Sequence, residues 1–544
     1  MAKAGNINDQ LLEAASKGQR NIVESLLLQE GIDVNIADNE GVTPLLNAVA
    51  HGHEDVVGLL LTAQDIDVNK ANFKGLTPLI VAVSNGYHEV VKLLLGKQDI
   101  NVNQAEKTGS TALYLAASFG HEKSVSLLLE NDDILVNQAS NSGATPLLMA
   151  ALKGFDNVVE MLLKRNEIKI NKETKGWNTP LLVACMEGHE RVVEMLLRRD
   201  EIQVNQETKR GNTPLLMACS QGHERVVEML LGKKGIQINK YTDNGITPLI
   251  MAAMRGYGRI VKMMLEKSGI LVNKAMNGGA TALMIAAEKG HEKVIELLLK
   301  HDDIQINQAQ DNGLTPLLFA ALSGNVKSVE LLLEREEILI NQAAEGGHTP
   351  LIIATEEGHE KVVDMLLRRA EIQVNLARNT GATPLFVAAS KGFNKIVQMF
   401  LRKNDIQVNL GTNVGATPLL MAAGNGYTNV VEMLLRNNGI QVNQGTHDGL
   451  TPLLVAVCEG HVKVVEMMLK KDGIQANLAN MGGLTPIVAA AERRHGKIVE
   501  MLLRKEDVQA NGWNGWRPHR YAPYPPRKPD VRFGIVFTGR IRKF

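Results

Sequence analysis

The sequence predicts an all-α solenoid of helix-turn-helix units with short β-hairpin loops, and three observations carry that prediction. A Thr stands at every 34th position from Thr43 to Thr485, fourteen in register. An Asn keeps the same interval from Asn35 to Asn511, fifteen in register, so one further unit precedes the first Thr. Whole blocks also recur: NTPLLVACMEGHERVVEMLL, Asn178 to Leu197, returns as NTPLLMACSQGHERVVEMLL from Asn212 to Leu231. A fixed period of this size specifies stacked units, each covering its neighbour's apolar face, rather than several separate cores.

The elements follow in order along the chain. The first unit, residues 1–41, has Asp9 at the Thr position and a polar start, AGNINDQLLEAASKGQ. It reads as an N-terminal cap whose outer face meets water. Residues 42–511 read as fourteen tandem units, the last acting as a C-terminal cap because AERRHGK places Arg494 where a Gly is expected.

Within a unit, Thr179-Pro180 is a helix start: the Thr oxygen caps free backbone donors, and Pro takes the first position, where no N–H is needed. Every Pro before residue 512 occupies this slot. The first helix is expected to end near Gly188 in a left-handed conformation, with Leu181, Ala184 and Cys185 on one face. The second helix turns Val192, Val193, Leu196 and Leu197 inward and Glu190, Arg191, Glu194 and Arg198 outward, with Glu194 and Arg198 at a favourable i, i+4 spacing. After it, Ile202 and Val204 alternate with polar residues, and Gly211 supplies a turn, which together predict a hairpin.

The stretch GNTPLLMACSQGHERVVEMLL followed by IQVN resembles the ankyrin repeat, and the resemblance covers residues 1–511. The tetratricopeptide repeat is usually 34 residues long and the ankyrin repeat 33, yet motif outranks period, because a tetratricopeptide unit needs Trp, Gly and Tyr in its first helix and Pro at its end. The resemblance implies a non-enzymatic scaffold or adaptor that binds protein partners through the concave face of the array. The other reading is a substrate-recognition or regulatory arm of a larger enzyme complex, a kinase or ubiquitin ligase whose catalytic part is another chain. Two departures stand out. Where the family writes His after Thr-Pro-Leu, this chain has Leu46, Ile80, Tyr114, Leu148, Leu182 and so on to Val488. Trp177 replaces a turn Gly, with Gly176 placed to take over the positive φ.

The His register (His53, His121, His189, His223, His291, His359, His461) is no metal ladder, because ligands of one zinc each lie about 2 Å from it while stacked units are roughly 8–10 Å apart. Turn and capping roles fit these His. The Asn register fits side-chain-to-backbone bonds at a tight turn. By resemblance, Asn35 and Asn69 match the motif that can be hydroxylated. Cys185 and Cys219, in the same register of adjacent units, are too far apart to bridge and read as small buried hydrophobes. Phosphate-cradling, zincin and nucleophile-elbow motifs are missing, so no enzymatic activity, cofactor, metal or small-molecule substrate is expected.

No apolar signal core and no membrane-length apolar run is present, which predicts a cytoplasmic or nuclear protein without a membrane span. The formal net charge is zero, but residues 512–544 carry eight Lys or Arg against Asp530 alone. The repeats therefore have no nucleic-acid footprint, while this basic, Pro- and aromatic-rich tail does. It is expected to be disordered, and three readings stay open: docking on an acidic partner or nucleic acid, a solvated tail, or a gene-model artefact.

Partner-binding residues are sought where units differ on a fixed frame. Lys175, Trp177, Lys209, Arg210 and Tyr241 stand at loop tips, and Phe119, Leu152 and Met186 at first-helix ends, where most other units put small or polar tips. Exposed aromatics beside Arg and Lys are the side chains that dominate interfaces.

Overall fold

The computed structural model describes residues 7–505 and residue 508. The expected tail, 512–544, lies outside the described residues. The chain divides into two compact units, the first ending at Leu339 and the second beginning at Ile340. The described residues form thirty α-helices, twenty in the first unit and ten in the second, all about two turns long. In each unit they alternate between two layers, first helix packing on first helix and second on second. Among the described residues no helix is long and apolar enough to cross a membrane.

Thr-Pro starts the first helices as the sequence predicts. In Pro180–Glu187 the Thr179 hydroxyl oxygen accepts a hydrogen bond from the Leu182 amide at 3.2 Å, and Gly188 closes the helix at φ 78°. The cap recurs at every Thr of the register except Thr485, whose buried hydroxyl has no partner. The second helix, Glu190–Leu197, buries Val192, Val193, Leu196 and Leu197. Its outer Glu194 carboxylate meets Arg198 at 2.8 Å.

The connecting segments are tight turns rather than paired strands. Among the described residues the one bridge is Ala344 with His348. At Asp38–Val42 the Asp38 amide donates to the Val42 carbonyl at 3.1 Å, and the Asp38 carboxylate accepts from the Glu40 and Val42 amides. Each short loop satisfies its own backbone, so alternation over four residues has no ladder to join.

The Asn register bonds across to the next repeat instead of closing its own turn. Asn205 Nδ2 donates to the Gly235 carbonyl at 2.8 Å and Asn205 Oδ1 accepts from the Gln237 amide at 2.9 Å, both in the next repeat. The same two bonds are made by every Asn of the register from Asn35 to Asn307 in the first unit, and from Asn341 to Asn443 in the second; the end members Asn35 and Asn443 show the pattern. The His register also reaches across. His residues such as His189 sit at the start of the second helix without capping it. The Nε2 atoms of His53, His189, His223, His291 and His461 instead lie 2.9 to 3.1 Å from the last-turn carbonyl of the preceding repeat's first helix. The capping expected of them is thus delivered to the neighbour, at the negative end of its helix.

A further expectation, beside the hairpins, is corrected. Gly176 does not take the left-handed conformation; Trp177 itself does, at φ 64°. The turn requires positive φ two residues before the Thr, as Gly143 and Gly211 supply at φ 87° and φ 76°, and moving it one place would break the turn's closing bonds.

Candidate functional site

The turn Thr174–Asn178 is closed by its own Thr: the Thr174 hydroxyl oxygen accepts from the Gly176 and Asn178 amides, both at 3.2 Å, and the Trp177 amide donates to the Thr174 carbonyl at 2.9 Å. That closure holds a bulky residue in the left-handed region, a conformation costing an L-residue roughly 1–2 kcal/mol. The Gly slot is also sterically narrow. A Cβ built on Gly143 would lie 3.0 Å from the Lys175 amide, and one on Gly211 2.9 Å from Thr242 Cα in the next loop. Trp177 has such a Cβ.

The step to the next loop differs from most others in its bonding. Elsewhere neighbouring tips are joined by a backbone bond, Lys175 to the Ser142 carbonyl at 2.9 Å and Asp243 to the Arg210 carbonyl at 3.3 Å. Among the described residues no such bond joins Lys209 to Gly176; the link is also lacking between Gly278 and Asp311. In its place the Lys209 ammonium lies 5.9 Å from the Trp177 ring centroid. At that distance, near the outer limit of a cation–π contact, an exposed pair is worth about 0.5–1 kcal/mol. The indole remains 44% exposed.

The structure therefore brings Trp177 and Lys209 together on adjacent tips, with Lys175 and Arg210 exposed beside them. Tyr241, 50% exposed, lies just before the third turn and pairs with another residue, Lys274, whose ammonium is 4.9 Å from its ring centroid. Lys274 was not anticipated, since its register holds Lys172 and Lys240 as well and carries no distinguishing signal. Phe73, exposed at its own tip, is also outside the expected set, though a Phe among polar tips is a readable exception.

Leu152 and Met186 stand 34 residues apart in one register, and Phe119 stands one residue later in its repeat, where Lys153 and Glu187 follow. Phe119 is exposed and tilts against His121 at 5.8 Å between ring centroids, while Leu152 and Met186 are half-buried. Their carbonyls behave alike: Leu152 accepts from His189 and Met186 from His223. About one helical turn earlier stand Leu115, Met149 and Val183, four residues before Phe119 and three before Leu152 and Met186, and Met217 and Met251 continue their register. All but Val183 are half-buried. The expected helix-end residues are thus the edge of a wider apolar strip. Sequence reading missed it because an apolar residue in a periodic helix reads as core.

Among the described residues no three His, Cys, Asp or Glu side chains converge as metal ligands would. The chemistry on offer is aromatic, cationic and apolar contact. A family model described as ankyrin repeats in three copies matches the chain seven times, over residues 11–106, 98–174, 166–242, 238–310, 303–378, 371–446 and 438–512. No curated protein matches it.

Proposed function

The chain belongs to the ankyrin-repeat family, whose repeats are protein-interaction modules, and on that premise we propose a non-enzymatic scaffold or adaptor that docks protein partners on the loop tips from Lys175 to Tyr241 and the helix-end residues Phe119, Leu152 and Met186. The observation carrying this reading is Trp177. It holds a left-handed backbone costing roughly 1–2 kcal/mol where Gly would carry no such strain, and the exposed Lys209 contact, about 0.5–1 kcal/mol, offsets only part of that cost. Strain of this kind persists where binding uses it.

A pull-down on the full chain with mass spectrometry, run in parallel on wild type and Trp177→Gly, tests the proposal. Partners captured by wild type and lost from the variant support it; an identical set overturns the placement at Trp177. Stoichiometric recovery of one kinase or ubiquitin ligase would instead make the chain a recognition arm for that enzyme.

A further inference from the structure

Resting on that reading of the Trp177 surface, we propose that the adjacent tips Thr174–Asn178 and Thr208–Asn212 hold an extended acidic segment of a partner protein in the polyproline II conformation, one carboxylate at every third residue.

The charge comes first. The carboxylates flanking these tips are already engaged: Glu173 accepts from the Gln206 side chain at 2.8 Å, and Glu207 pairs with Lys240 at 3.2 Å. Among the described residues Lys175 makes no ion pair, and Lys209 faces an indole rather than a carboxylate. Two ammonium groups on successive tips are therefore left to an outside anion. Cations beside an exposed indole favour a carboxylate ligand over a second cation.

Spacing selects the conformation. Each tip leads directly into a first helix, through Thr179 and Thr213, and packed helices repeat at roughly 8–10 Å. A polyproline II chain rises 3.1 Å per residue with three residues per turn, so equivalent side chains recur every 9.3 Å or so, one per tip. A β-strand brings side chains to one face at about 6.6–6.8 Å, and an α-helix at about 5.4 Å per turn, neither matching a single step of the array. Polyproline II also exposes flat proline rings, which dock on aromatic side chains, and Trp177, on the same tip as Lys175 and beneath the Lys209 ammonium, is the exposed aromatic of these two tips.

The test uses the full chain and fluorescein-labelled twelve-residue peptides read by anisotropy. The probe is Glu-Pro-Pro repeated four times. One control has the same composition with its glutamates adjacent; the other replaces Glu by Lys. The register predicts that the probe binds about tenfold more tightly than either control, and that Lys175→Glu with Lys209→Glu weakens it by about tenfold, with the effect shrinking in high salt. Both substitutions are on exposed turn residues, and an unchanged melting curve confirms that the fold is intact. Absence of probe binding, equal binding of the adjacent-glutamate control, or indifference to the double substitution overturns the inference. If the probe fails while Trp177→Gly still loses the natural partner, the polyproline II register falls and the surface reading stands.

Discussion

The Nε2 of His189 lies 3.0 Å from the carbonyl oxygen of Leu152, 37 residues earlier in the chain. The ring also covers Gly154, where an added Cβ would lie 2.5 Å from the imidazole. One side chain thus satisfies a helix-end carbonyl and fills the space over the preceding repeat's glycine.

Phe155 covers Gly120 in the same way without a polar contact, so the two contributions separate by mutation. His189→Phe should keep the packing and lose only the hydrogen bond, costing about 0.5–1.5 kcal/mol. His189→Ala should cost more, because ring and bond both go. Urea denaturation of the two variants checks the order.

Asn205 supplies two bonds to the next repeat, so Asn205→Ala should destabilise by about 1–3 kcal/mol. Asn205→Asp retains the acceptor for the Gln237 amide but loses the donor to the Gly235 carbonyl, and should fall between wild type and Ala at neutral pH. If both variants unfold at the wild-type midpoint, the Asn register is not a structural tie.

Burial pushes the Cys185 and Cys219 thiols above the usual thiol range. Burial raises Cys458 too, partly offset by the Arg493 guanidinium. Because thiolate is the nucleophile, a raised value slows alkylation at a given pH. Iodoacetamide near pH 8 should label Cys458 first in the native protein and all three Cys in urea, as intact-mass spectra will show.

In a stacked array stability is a sum of repeat and interface terms. Deleting Thr213–Ile246 rejoins Asn212 to Thr247 in register and should leave a cooperatively folded, shorter protein by circular dichroism. Deleting residues 1–41 removes the helices that pack on Pro44–Ala50 and Glu54–Leu60. It should lower solubility, as loss of a capping repeat would.

The helix pairs, their Thr caps and the buried faces were legible because each is written in local spacing: Thr179-Pro180 and the apolar pairs of Glu190–Leu197 need no knowledge of the neighbour. The ties between repeats were not. Asn205 looks like a turn residue and His189 like a helix start, and only stacking shows that both bond to the adjacent repeat. At the site, Trp177, Lys209 and Tyr241 were readable as breaks in a repeat. Met149 and Met217 were not, since a half-buried Met and a core Met obey the same period. Gly176 misled because glycine usually takes the left-handed position, whereas here the turn's register assigns it to residue 177.

The central claim is that Trp177 is kept for binding at the expense of folding. Trp177→Gly should relieve the left-handed strain while losing the Lys209 contact, for a net rise in stability of about 1 kcal/mol. The decisive measurement is calorimetric titration of the pulled-down partner into wild type and Trp177→Gly. The account predicts affinity weaker by about 2 kcal/mol, roughly thirtyfold, in the more stable variant; equal affinity in the two proteins would contradict it.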